Sequence, residues 1–346
     1  MNIKNKAVIY GSYFPPFFFR FVGDSLVVTD YIDTLSCRQQ DIRPGDVIYM
    51  IGNAPVSIKR EAWYVSASNL NKKKAILSSP TLMFPLRGKD SVIKISYLRA
   101  GKRLQTSLQL QKPSAQYVAV LTDIYRRETG NGTTTTNNFV LRSIDPGVAM
   151  LDAANLSIFY NSSQDENAVD SILLLMRSHS KAIILDMRCY ATQAVFYNKF
   201  LSALGWRLKP FLSLKAHSNR YPGAFYERDI FSVVKQEAIK EKYTGKVIVL
   251  VDSRTHSQSE MITMIMQASG PAIVIGTQSS GADGDILDLP LPGGYELSFS
   301  GRHVSYPDGS PSQMSGVKRD VKVKLTTKAV AAGRDEILEA ALRIIR

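Results

Sequence analysis

The sequence predicts an α/β domain preceded by a mostly-β domain, on three observations. From about residue 113 onward, short apolar runs alternate with stretches whose apolar residues recur every three or four positions, as strands and helices do in a layered sheet. Before that point the chain shows short β-rich runs set off by turn signals. The charge divides at the same place: residues 1–112 hold 17 Lys and Arg against 7 Asp and Glu, a net of +10, which leaves +3 of the chain's +13 for the rest. At 346 residues, with 45% apolar content, there is material for two cores.

In the first domain, residues 1–112, Phe17 to Val22 and Ser25 to Tyr31 flank a Gly23-Asp24 turn signal and read as a hairpin. Further strands are expected within Asp41 to Asn53 and over Val92 to Leu98. Residues 126–138, rich in Gly, Thr and Asn and without apolar period, read as a flexible loop. The flanking runs Gln116 to Thr122 and Phe139 to Ile144 read as strands, which places the loop inside the second domain, residues 113–346; the alternative is an interdomain linker.

In that second domain, Asn167 to Ser178 has helical spacing, Lys181 to Asp186 is a buried strand, and a helix is expected over Ala194 to Leu204. The most informative stretch follows. Val247 to Val251 is an unbroken apolar strand, and Ser257, Gln258, Ser259 and Glu260 form a capping pattern ahead of the apolar run Met261 to Met266. A strand thus runs through a turn into a helix opened by Ser257, and a strand over Ala272 to Ile275 comes next. Backbone N–H groups and the positive end of the helix dipole converge at such a junction, so an oxyanion beside Ser257 would be stabilised there. The bland reading is a serine that only caps the helix.

The order of segments after this point narrows the reading. Ile275-Gly-Thr-Gln-Ser-Ser-Gly-Ala-Asp-Gly284, Tyr306-Pro-Asp-Gly309, Gly316-Val-Lys-Arg-Asp320 and the upstream Ala182-Ile-Ile-Leu-Asp-Met-Arg188 resemble, in that order, the blocks of the C-terminal processing peptidases, or tail-specific proteases, relatives of the tricorn core. The resemblance covers about residues 113–346 and implies a crotonase/ClpP-like α/β catalytic domain. The block from Arg43 to Asn53 resembles the Gly-Asp signature of PDZ domains, which implies a PDZ-like first domain that holds an extended peptide as an added strand, with Arg43, Gly45 and Asp46 near its carboxylate. Any small barrel could use the same Gly-Asp pair as a tight turn.

The resemblance carries the nucleophile to Ser257, with Ser259 the competing serine. A serine hydroxyl needs a base to take its proton. In the processing peptidases that base is a lysine, and its position here falls on Ala282; residues 113–178, where a tricorn-like histidine would stand, contain none. Of the four histidines, His217 sits in a Pro-Gly loop that could lie over the site and is the candidate base, and His256 beside the nucleophile reads as a surface residue. Asp283 could orient a histidine or bind water. The implied oxyanion donors are the backbone N–H of Gln258 and one from the turn near Ala191 or Thr192. Gln313 falls near a position that is acidic in tricorn relatives and would orient the catalytic group, against the plainer reading of a solvated glutamine.

These observations point to a serine endopeptidase acting on extended peptides or protein C-terminal tails; the alternative is a catalytically impaired homologue that binds peptides. A crotonase-type acyl-CoA enzyme shares the fold and is disfavoured by the Thr255 to Glu260 pattern. No metal or organic cofactor is implied: Cys37 and Cys189 fall in different domains and no CxxC spacing exists. The single basic run, Lys72 to Lys74, lacks the aromatic interleaving of nucleic-acid grooves, so nucleic acid is not an expected partner. The basic excess would favour acidic partners or an anionic membrane surface. The oligomeric state is open. No signal peptide opens the chain, whereas the resemblance implies a periplasmic or cell-envelope location, so an export segment would have to be missing.

Overall fold

The computed structural model describes residues 11–59, 86–129, 141–153, 173–179, 181–191, 196–218, 221, 224–229 and 242–346. They form two compact units, one drawn from Met1–Thr129 with Lys324–Glu339, the other from Gly130–Val323 with Ala340–Arg346.

In the first unit, β1 (Phe17–Val22) and β2 (Ser25–Tyr31) make the expected hairpin, and the short helix α1 (Thr34–Gln39) follows, its N-terminus capped by the Asp33 carboxylate on the Ser36 N–H. Then come β3 (Val47–Ile51), β4 (Ala54–Pro55), β5 (Val92–Arg99) and β6 (Lys102–Gln109). Among the described residues the sheet is antiparallel throughout, in the order β1-β2-β3-β5-β6 with β4 beside β3. Its ends are drawn together by Phe14 and Gln111, which exchange backbone hydrogen bonds of 2.8 and 2.9 Å. The core holds Phe17, Leu26, Ile48, Ile95 and Leu108.

The run read as a strand over Gln116 to Thr122 is instead helix α2 (Ala115–Thr129), which also takes in the first residues of the expected loop. Ser114 caps it, its hydroxyl accepting from the Tyr117 N–H at 3.1 Å. Tyr117, Leu121 and Ile124, spaced as one helical face, are buried in the core of the first unit. The compact units therefore divide after Thr129, not after residue 112, and Lys324–Glu339 returns to the first. The remainder of the expected loop and the Lys72 to Lys74 run lie outside the described residues.

The second unit is built on a mixed sheet of β7 (Leu141–Asp145), β8 (Val148–Asp152), β9 (Ala182–Asp186), β12 (Lys246–Val251), β13 (Ala272–Gly276) and β17 (Val321–Lys322). It is parallel from β8 to β17, with β7 antiparallel at one edge. The chain adds these strands in one direction, 7-8-9-12-13-17. Val247 to Val251 are all buried, the property of a central strand covered on both faces. Helix α3 (Phe196–Leu204) lies within the expected helix, and α4 (Gln258–Ser269) joins β12 to β13. A second sheet, in the order β11-β10-β16, is formed by β10 (Ser213–His217), β11 (Phe225–Asp229) and β16 (Arg302–Ser305). Leu214, Ala216 and Val304 from it share one core with Val249, Ile262 and Met266.

A two-stranded ribbon, β14 (Ile286–Leu291) and β15 (Tyr295–Ser300), stands apart from both sheets. Its register puts Leu287, Leu289 and Leu291 opposite Phe299, Leu297 and Tyr295 on one exposed apolar face.

Candidate active site

The site grows from the C-terminal end of β12. The chain leaves the sheet through a turn knotted by Thr255: the Asp252 N–H donates to Thr255 Oγ1 at 3.0 Å, and the Thr255 hydroxyl donates to the Met187 carbonyl, at the end of β9, at 2.8 Å. The turn delivers Ser257 as the N-cap of α4 with φ 50° and ψ −118°. A non-glycine residue in this left-handed region is strained by about 1–3 kcal/mol. The hydroxyl does not cap the helix, and no other described residue hydrogen-bonds to it. The capping pattern is therefore half closed. The Ser257 backbone helps to lower the Glu260 pKa, as in a capping box, while the serine hydroxyl makes no capping bond.

Ser259 is placed differently. It is fully buried; its hydroxyl donates to the Cys189 carbonyl at 2.8 Å and accepts from the Ala191 N–H at 2.8 Å. It fastens the turn after β9 to the helix and has no lone proton to offer a substrate. The Ala191 N–H is spent in that bond and is not an oxyanion donor; Thr192 lies outside the described residues. Gln258 is the first residue of α4, so its N–H heads the helix beside Ser257.

Glu260 is the hub that sequence reasoning saw only as half of a cap. Only 1% exposed, it accepts from Ser279 Oγ at 2.6 Å and from the N–H groups of Gly281 and Ala282, each at 2.8 Å. Burial raises its pKa against the pull of these donors. The loop is close-packed around them: Gly281 has φ +62°, and a Cβ there would stand 2.8 Å from the Met314 backbone. Ala282 is thus held to the helix that Ser257 opens.

Next to it, Asp283 Oδ1 accepts from the Gly284 N–H at 2.8 Å, while Oδ2 is buried with no hydrogen-bond partner. Burial, followed by the neighbouring carboxylates of Glu260 and Asp285, pushes the Asp283 carboxyl up to about 6. Gln313 does not orient a catalytic group through its amide nitrogen: Nε2 donates to the carbonyls of Asp283 and Arg302 at 2.6 and 2.7 Å, bracing the loop.

Two Asp-x-Arg pairs flank the Ser257 turn at the ends of adjacent strands. Arg188 Nη2 lies 2.8 Å from Asp186 Oδ2, and Arg254 Nη2 lies 2.6 Å from Asp252 Oδ2. Burial alone would raise both carboxyls, but each is held below the usual range by its own arginine and, through space, by the other.

Among the described residues no histidine hydrogen-bonds to Ser257. His217 is exposed on β10 opposite Phe225, and His303 is exposed on β16 opposite Lys215. His179 Nδ1 is 3.1 Å from the Leu175 carbonyl. His256 is not the surface residue expected: half-buried, it stacks on Tyr190 with ring centroids 4.8 Å apart and places Nδ1 2.8 Å from the Arg254 carbonyl. Among the described residues no group of three or more His, Cys, Asp or Glu could hold a metal ion.

In the first unit, the backbone expected to meet a peptide carboxylate is already committed. The Arg43 N–H donates to Asp46 Oδ2, the Gly45 N–H to the Val28 carbonyl and the Asp46 N–H to the Arg43 carbonyl, at 2.9, 2.8 and 3.1 Å; Pro44 has none to give. Asp46, 1% exposed, receives a two-pronged contact from Arg99, whose Nε and Nη2 each lie 2.8 Å from a carboxylate oxygen. Arg43, Gly45 and Asp46 form a structural turn, with Gly45 at φ +95° and its absent Cβ 3.2 Å from the Ala331 carbonyl.

Comparisons with known proteins bear on the fold. The structure of mature CPAF complexed with lactacystin superposes with a TM-score of 0.70 at 13% identity, covering 96% of this chain and 82% of that one. Mature CPAF alone gives a TM-score of 0.70 at 14% identity, over 96% and 81%. No curated protein sequence matches the chain. Residues 199–323, which hold Ser257, Glu260, Ala282, Asp283 and Gln313, match the model of Peptidase family S41, and the fold is similar to that of mature CPAF.

Proposed function

We propose that the chain is a serine endopeptidase acting on extended peptides or protein C-terminal tails, with Ser257 as nucleophile and the Gln258 N–H as one oxyanion donor. The observation that carries this reading is the Ser257 hydroxyl, presented at a helix N-terminus from strained backbone without a capping bond, beside a second serine that is locked into the fold. The one-directional strand order of the second unit supports a crotonase-type catalytic domain. The antiparallel sheet of the first unit, with β1 and β6 outermost, supports a PDZ-like role in which substrate adds as a strand, without carboxylate capture at Arg43 to Asp46. A periplasmic or cell-envelope location follows only from the resemblance to the processing peptidases; among the described residues no helix is long and apolar enough to cross a membrane.

Hydrolysis of a fluorescently labelled casein by the full chain, compared with Ser257→Ala, tests the assignment. Activity that Ser257→Ala abolishes supports it, and equal activity in both proteins removes it. The second reading, a catalytically impaired peptide binder, is favoured by Ala282 standing where a lysine would act. It gains ground if casein binds to the wild-type chain and is never cut.

A further inference from the structure

The ribbon of β14 and β15 turns its largest apolar side chains toward water. Its register and the alternation of side chains along a strand put Leu287, Leu289 and Leu291 on one face with Phe299, Leu297 and Tyr295, three cross-strand pairs running from root to tip. In the whole chain these six remain 38% to 68% exposed, and the opposite face carries Asp288 and Glu296. A two-stranded ribbon is at best marginally stable by itself in water, and a contiguous apolar patch of this kind marks a surface that is covered in use. The root is held firmly. The Gly301 N–H donates to the Asp285 carbonyl at 2.7 Å, Arg302 Nη1 lies 2.8 Å from Asp285 Oδ2, and Gln313 Nε2 donates to the carbonyls of Asp283 and Arg302. The face is thus presented in a fixed orientation, which lowers the entropy cost of covering it.

We propose that this face packs against the same face of a second copy of the chain, as a two-fold dimer. Three features select that occupant. The six side chains carry no charge, so the face matches itself as an isologous interface requires, and it calls for neither an acidic nor a basic partner. Its area suffices: side chains of this size, about half exposed, leave on the order of 500 Å² in water, and two such faces laid together bury about 1,000 Å², what a specific interface needs. An extended peptide added as a strand would pair with backbone at an edge and leave the six side chains in water; along β14 it would also meet Pro290, which has no N–H to give. Packing face to face covers all six. The dimer stands whether or not Ser257 is a nucleophile.

Sedimentation velocity of the full chain, from about 1 to 100 μM, tests it on wild type, Leu289→Asp, Leu297→Asp and Ser300→Asp, the last adding the same charge to the opposite face. The wild-type mass is expected to rise across the series toward that of two chains. Leu289→Asp and Leu297→Asp should each raise the dissociation constant by at least about a hundredfold, because a carboxylate is then buried without a partner at the centre of the interface. Ser300→Asp should associate as wild type does. A wild type that stays monomeric throughout, or a dimer that both leucine variants leave intact, overturns the proposal, as does association lost equally in Ser300→Asp. A monomeric wild type that takes up a fluorescent leucine-rich peptide, and loses it in both leucine variants, gives the face to an extended apolar peptide and overturns the second copy.

Discussion

The Ala282 N–H donates to Glu260 Oε2 at 2.8 Å, which bolts residue 282, the position that the resemblance to the processing peptidases gives to a lysine, to the first turn of α4. A side chain introduced at residue 282 therefore starts from backbone already fixed relative to Ser257. Ala282→Lys is expected to raise casein hydrolysis and to move its optimum toward alkaline pH, since an amine serves as base only when neutral. A kcat against pH profile that keeps its shape and height would show that the loop departs from the path it takes in those peptidases.

Ser259→Ala deletes a bond donor and acceptor at once and strands the Cys189 carbonyl and the Ala191 N–H in the interior. The expected loss is about 1–3 kcal/mol in urea denaturation. Fluorophosphonate should still modify Ser257 in this variant. Modification of Ser259 in wild type, with Ser257 untouched, would reverse the roles of the two serines.

The Asp283 carboxyl also writes itself into the stability curve. Its folded pKa, about 6, exceeds that of an ordinary unfolded Asp, near 4, so the folded state binds the proton more tightly. Stability contributed by this group is complete below about pH 4 and falls as pH rises toward 6. Asp283→Asn should flatten that fall, so that midpoints measured at pH 4.5 and 7 differ less than in wild type. An unchanged difference would mean that the carboxyl titrates normally.

Arg99 is the only ion-pair partner of buried Asp46 among the described residues. Arg99→Ala leaves that carboxylate uncompensated, and because the arginine is itself partly solvated the expected loss is about 3 kcal/mol, toward the low end for broken buried pairs. Denaturation of the full chain followed in the first unit, for instance by hydrogen exchange of β3 and β5, reads it out. A loss below 1 kcal/mol would show that water reaches Asp46 freely.

Because the N–H groups of Arg43, Gly45 and Asp46 are already donated, peptides ending in a carboxylate and their amidated forms should bind the full chain with equal affinity. Titration by fluorescence polarisation separates the outcomes. A clear preference for the free carboxylate would require this turn to open.

What the sequence made legible, and what it hid, follows from the range of the forces involved. The unbroken run Val247 to Val251 and the pattern from Ser257 to Glu260 are local signals, and the strand, turn and helix stand where those signals put them. The Gly23-Asp24 hairpin was equally plain. Helix α2 was misread because Tyr117, Val118 and Val120 favour strands one by one; the spacing of Tyr117, Leu121 and Ile124, together with Ser114 as a cap, was the better guide. Glu260 clasping Gly281 and Ala282, Gln313 reaching the carbonyls of Asp283 and Arg302, and Asp46 meeting Arg99 are long-range pairings that no periodicity announces. The burial of Asp283 Oδ2 belongs with them, since an Asp directly before Gly284 looks like turn chemistry in the sequence.

The backbone of Ser257 sets a contest between keeping the fold and keeping the hydroxyl. Glycine is at ease at φ 50° and ψ −118°, where serine is not, so Ser257→Gly would relax the turn at the cost of the hydroxyl. For a chain kept only as a scaffold, drift at this codon would run downhill toward glycine. The retained serine marks a position where the energetically easier residue is not the one the protein holds.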